Sequence, residues 1–157
     1  MSRVPALTVV ALVVGAAGCG SSGPPETPAA CLSCPGVYLH ALRDAPGEVR
    51  LEGSVSIGDC LVDEQSGGEI ADIGQATVSA ATRLNATGRH DPAGEAPLEL
   101  GYLVGALEQA AGGTGGIHQD LVRRIETAAR FAPQGQRLPA DFQRGFGQGF
   151  AAGQADG

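Results

Sequence analysis

The spacing of apolar residues along this chain changes from region to region, and each spacing predicts a different element. Val49, Leu51, Val55 and Ile57 occupy odd positions, with Arg50, Glu52, Ser54 and Ser56 between them. That alternation is the pattern of a half-buried strand, weakened at Gly53, where a bulge is expected. Ala45-Pro46-Gly47 is a turn signal, so Val37 to Leu42 is expected to pair with the later run as a hairpin, or to form one helical turn. From residue 69 the spacing becomes helical. Ile70, Ile73, Thr77, Ala80, Ala81 and Leu84 share one face, and Gly88 sits where such a helix would end. Pro97 suits the first turn of a second helix carrying Leu100, Leu103, Val104 and Leu107, which Gly112 and Gly113 stop. Ile117, Leu121, Val122, Ile125, Ala128 and Ala129 form a third stripe, with Arg123, Arg124 and Glu126 outward.

The last segment has its own pattern. Phe142, Phe146 and Phe150 recur every four residues, and so do Gly145, Gly149 and Gly153. On a helix the Phe residues form a ridge and the Gly residues a bare groove beside it. Glycine is costly in a helix, about 1 kcal/mol each, so this segment is expected to be helical only if it docks. Gly101 and Gly105 make a second four-residue pair, and the two bare faces are expected to pack together. The Phe ridge is first of all core. If exposed, it is a binding face for a partner or a membrane surface. The expected fold is therefore mainly α: a small bundle of about four helices (69–87, 97–111, 115–132 and 139–152), preceded by a short β-hairpin or strand region over 35–62. Residues 35–157 form a single globular domain.

Composition narrows the function. Aromatic residues make up 4% of the chain, Trp is absent and there are 25 Gly, so the core must be built from small and aliphatic side chains. The net charge is −7 and no residue is Lys. Such a chain is a poor binder of nucleic-acid phosphates and of anionic lipid by overall charge.

The N-terminus reads MSRVPALTVVALVVGAAGCG: a positive start, a short apolar run from Ala6 to Val14, then small residues. This is a secretory signal, too short to span a bilayer. Its last four residues, Ala16-Ala17-Gly18-Cys19, resemble the lipobox of bacterial lipoproteins, with Ala16 where that family usually has Leu. The resemblance covers the first 20 residues and implies cleavage of 1–18, attachment of acyl lipid to the Cys19 sulfur, and residence on the extracytoplasmic side of a membrane. The Pro-rich, polar segment that follows suits a disordered tether, expected over 19–34.

The chemistry-bearing residues are few. With Cys19 acylated, Cys31, Cys34 and Cys60 remain, an odd number. One disulfide and one spare thiol are expected, Cys34–Cys60 by preference or Cys31–Cys60. A thiol or zinc reading would use Cys31, Cys34, His40 and Cys60, but only one zinc-like CxxC pair exists, so no metal is expected. Asp59, Asp63, Glu64, Glu69 and Asp72 match no calcium loop. His118, with Asp120 or Glu108 nearby, is the one candidate general base, but no nucleophile motif accompanies it. No catalytic residue is assigned and no cofactor is implied. The leading expectation is a non-enzymatic, lipid-anchored envelope module with an envelope protein as partner. The rivals are an envelope enzyme using His118 and the thiol or zinc protein.

Overall fold

A computed structural model describes residues 26–157 of the chain. The expected signal sequence over 1–18, Cys19 and the first part of the expected tether lie outside the described residues. The described residues are mainly helical. Five α-helices run in order: α1 Pro35–Ala41, α2 Gly67–His90, α3 Ala96–Gly112, α4 Gln119–Ala129 and α5 Ala140–Asp156.

Local chemistry accounts for the start of α2. The Ser66 hydroxyl accepts a hydrogen bond from the Glu69 amide, and the Glu69 carboxylate accepts one from the Ser66 amide. This reciprocal cap satisfies two donors that a helix start would otherwise leave unpaired. Ile73, Thr77, Ala80, Ala81 and Leu84 form the buried stripe of α2, as the spacing predicts. Gly88 does not end the helix, which continues to His90. A Cβ at Gly88 would come within 2.9 Å of both Phe142 Cε2 and Pro97 Cγ. The glycine is there for close packing rather than termination.

Helix α3 is buried nearly all round and forms the centre of the bundle. Its most extensive contact is with α5. A Cβ on Gly101 or Gly105 would overlap the carbonyl oxygens of Phe146 and Phe150. A Cβ on Gly149 or Gly153 would overlap those of Leu98 and Tyr102. The two bare faces are thus in direct backbone contact, and that docking offsets the poor helix propensity of α5.

The region 35–62 differs from the sequence expectation. No strand forms among the described residues; a single antiparallel bridge joins Leu51 and Val55. Tyr38, Ala41 and Leu42 are buried at helical spacing, with Pro35 in the first turn of α1, so the expected partner strand is a helix. Glu52 and Gly53, both at positive φ, reverse the chain immediately after Leu51 and leave no length for a ladder. The alternation is nonetheless physical. Val49, Leu51 and Ile57 are buried, one side of an extended loop laid on the helices.

The N-terminal boundary also moves. Residues expected within the tether pack onto the domain: Ala29–Leu32 is a 3-10 turn whose Ala30 and Cys31 are buried, and Thr27 is buried before it.

Candidate functional site

The third stripe begins later than its spacing suggests. Gly115 and Gly116 adopt positive φ, and α4 starts at Gln119 with His118 just before it. His118 is completely buried. Its Nδ1 is 2.7 Å from Thr114 Oγ1 and its Nε2 is 2.7 Å from Gln65 Oε1. The amide group of Gln65 donates to Thr27 Oγ1 at 2.7 Å and to the Cys60 carbonyl at 3.0 Å. Gln65 Oε1 is therefore the atom facing the ring, and it can only accept. The network places a hydrogen on Nε2, while Nδ1 competes with the Ala111 carbonyl, 3.0 Å from Thr114 Oγ1, for the single hydroxyl hydrogen of Thr114. Burial holds the ring's pKa below the usual histidine value, opposed by the negative charge of Asp63. Both ring nitrogens are occupied by uncharged partners, whereas a general base needs one free for substrate. Asp120, the carboxylate expected beside it, instead pairs with Arg123.

The cysteines resolve differently from the preferred pairing. Cys31 is bonded to Cys60, and Cys34 is free and exposed at the start of α1. Cys31, Cys60 and Tyr38 are all fully buried, and the Tyr38 hydroxyl donates to the Cys31 carbonyl at 2.7 Å. Cys34 is the outward-facing member of the CxxC pair, which is why it loses the competition for Cys60. With two of its thiols bonded to each other, the set Cys31, Cys34, His40 and Cys60 is not available as metal ligands. Among the described residues, no three His, Cys, Asp or Glu side chains are grouped to hold a metal.

The Phe ridge divides. Phe142 is buried, whereas Phe146 and Phe150 are half-buried and stack with ring centroids 6.1 Å apart. Phe142 and Phe146 line a hollow of about 460 Å³ together with Leu138 and Arg130.

A larger groove, about 580 Å³, runs between α2 and α4. Val78, Ala86, Ala128 and Phe131, the last 58% exposed, are its apolar lining. Arg89, Arg123 and Arg124 line it, and no carboxylate does. Buried Asn85 builds one wall. Its amide donates to the Ala129 carbonyl at 2.6 Å, tying α2 to the end of α4, and its oxygen accepts from Arg89 Nε at 2.9 Å. That bond holds the Arg89 guanidinium through Nε alone. Neither this groove nor the Phe142 hollow reaches His118.

Sequence reasoning passed over Gln65, Asn85, Thr114 and Arg89. The usable signal was Asn85 itself, a polar residue next to Leu84 on the apolar side of α2. Set against protein-family models, curated proteins and solved structures, the chain matches none.

Proposed function

We propose that this protein is a lipid-anchored extracytoplasmic binding module, held to a membrane through Cys19 and presenting the α2–α4 groove to a ligand. The carrying observation is a contrast. The one candidate catalytic side chain, His118, is sealed and saturated, whereas the groove holds guanidiniums beside open apolar surface. A groove of this size with apolar lining and a few polar groups is a common form of ligand site. The buried Cys31–Cys60 disulfide supports an oxidising compartment, in keeping with the secretory signal.

Intact-mass spectrometry of the protein extracted from bacterial membranes tests the anchoring. The expected species begins at Cys19 and carries a diacylglyceryl group. An unmodified chain retaining residues 1–18 in the soluble cytosol would overturn the reading.

A further inference from the structure

We infer that His118 is a buried proton-binding site, and that the domain takes up a proton at its Nδ1 with the fold intact, moving one hydrogen bond as it does so. The inference stands apart from the reading of the groove. It rests on the hydrogens available inside a sealed network.

On one side of the ring the roles are fixed. Gln65 uses both amide hydrogens, on Thr27 Oγ1 and on the Cys60 carbonyl, so its Oε1 accepts from His118 Nε2. On the other side there is a conflict. Thr114 Oγ1 lies 2.7 Å from His118 Nδ1 and 3.0 Å from the Ala111 carbonyl. A hydroxyl has one hydrogen for these two contacts, and neither a carbonyl nor a bare ring nitrogen supplies another. His118 is completely buried and Thr114 nearly so, which keeps bulk solvent from making up the difference. If the hydroxyl turns to Nδ1, the Ala111 carbonyl is left with the Thr114 amide, at 3.3 Å. If it turns to Ala111, two lone pairs face each other between Nδ1 and Oγ1.

A proton on Nδ1 removes the conflict. Nδ1–H donates to Thr114 Oγ1, and the hydroxyl donates to the Ala111 carbonyl. Every contact from Ala111 at the end of α3, through the ring, to Thr27 in the N-terminal entry then holds one hydrogen. The proton comes from solvent, and both ring contacts become charge-assisted.

An enclosed cation also needs an opposite charge nearby. Asp63, on the chain leading into α2, acts on the ring and favours the cation. Burial opposes it and places uptake on the acid side of the ordinary histidine range. The other acids of the surrounding elements are engaged elsewhere: Asp59 accepts from the Ser56 amide, Glu69 from the Ser66 amide, and Asp120 pairs with Arg123. The stability lost in acid is therefore lost to the unfolded chain's tighter hold on the proton, not to rupture of this network.

The test uses the full chain, uniformly 15N-labelled, extracted from bacterial membranes into detergent micelles. His40 and His90, the other two histidines, are exposed, and His118→Asn assigns the third ring by its disappearance. At pH 8 the His118 ring should carry hydrogen on Nε2 alone. As the pH is lowered toward 5, a second ring hydrogen should appear on Nδ1. It should exchange with water at least about tenfold more slowly than the ring hydrogens of His40 and His90, because it is bonded and enclosed. Thr114→Val removes its acceptor and should lower the pH of half-protonation by about one to two units, the worth of a charged hydrogen bond expressed as a shift. Thr114→Ser keeps the hydroxyl and should restore the midpoint. If Thr114→Val does not fold, the wild-type exchange rates decide alone. An Nδ1 that stays bare at every pH at which the protein is folded overturns the inference. So does an Nδ1 hydrogen that exchanges as fast as those of the exposed rings, or a midpoint that Thr114→Val leaves unmoved.

Discussion

His118 Nε2 donates to Gln65 Oε1 across 2.7 Å, joining residues 53 apart in sequence, and the hydrogen bond sits where α4 begins, next to the chain leading into α2. Through Gln65 the contact extends to Thr27 and to the carbonyl of the disulfide-bonded Cys60. The N-terminal entry, the disulfide and the start of α4 are thus one buried polar unit, in which each member is costly to remove alone.

Acid should cost the fold stability through this unit. The folded-state pKa of His118 lies below the unfolded value of about 6.5, because burial disfavours the cation. Above the unfolded value the contribution is fully present. As pH falls toward the folded value, the unfolded chain takes up the proton first and stability declines. Urea midpoints measured from pH 8 down to pH 5 should fall on the acid side, and His118→Asn should flatten that part of the profile. His118→Ala, which strands Gln65 and Thr114, should cost about 1–3 kcal/mol at neutral pH. An identical acid slope in wild type and His118→Asn would contradict the assignment.

Two glycines of α5 should respond oppositely to the same substitution. Gly149→Ala drives a methyl into the Leu98 carbonyl and must separate α5 from α3. A loss of about 3 kcal/mol or more is expected, at or beyond the upper end of overpacking costs. Gly147 has nothing within 4 Å of the position a Cβ would take. Gly147→Ala should stabilise by about 0.5–1 kcal/mol through helix propensity. Thermal melts of the two variants, read against wild type, check both signs.

Cysteine substitutions should separate structure from spare thiol. The Cys31–Cys60 bridge closes a loop with a sequence separation of 29, so Cys60→Ala should cost about 3–4 kcal/mol. Cys34→Ser should leave the melting temperature unchanged and abolish the labelling of Cys34 by a thiol reagent under native conditions. If Cys34→Ser instead destabilised as much as Cys60→Ala, the Cys31–Cys60 pairing would be wrong.

The N-terminal cap of α2 offers a milder test. Ser66→Ala removes the acceptor for the Glu69 amide and the hydroxyl that donates to its carboxylate. A loss of about 1 kcal/mol is expected. The Glu69 carboxyl, now held below the usual range chiefly by the Ser66 side chain and then by the Ser66 amide, should titrate closer to its ordinary value. NMR titration of the Glu69 carboxyl carbon reads that change directly.

Much of this architecture was legible in the order of residues. The stripe of α2, the run of α3 and the matched glycine pairs at 101/105 and 149/153 all follow from spacing along one helix. Each pattern depends on residues three or four apart, whose relative positions the helix itself sets. The hairpin expectation failed at the point where that logic stops. Alternation from Val49 to Ile57 reports which side of the chain is buried, and burial without a neighbouring strand makes a loop, not a sheet.

The amino-acid order by itself determined that this chain is mainly helical and that the glycines of its last segment match those at 101 and 105. Tertiary structure alone decided that Cys31 rather than Cys34 meets Cys60, that His118 is closed off by Gln65 and Thr114, and that Arg89 and Arg124 share a groove. Those three outcomes join residues from different helices or loops. Their distances depend on how rigid elements dock, which no local periodicity encodes.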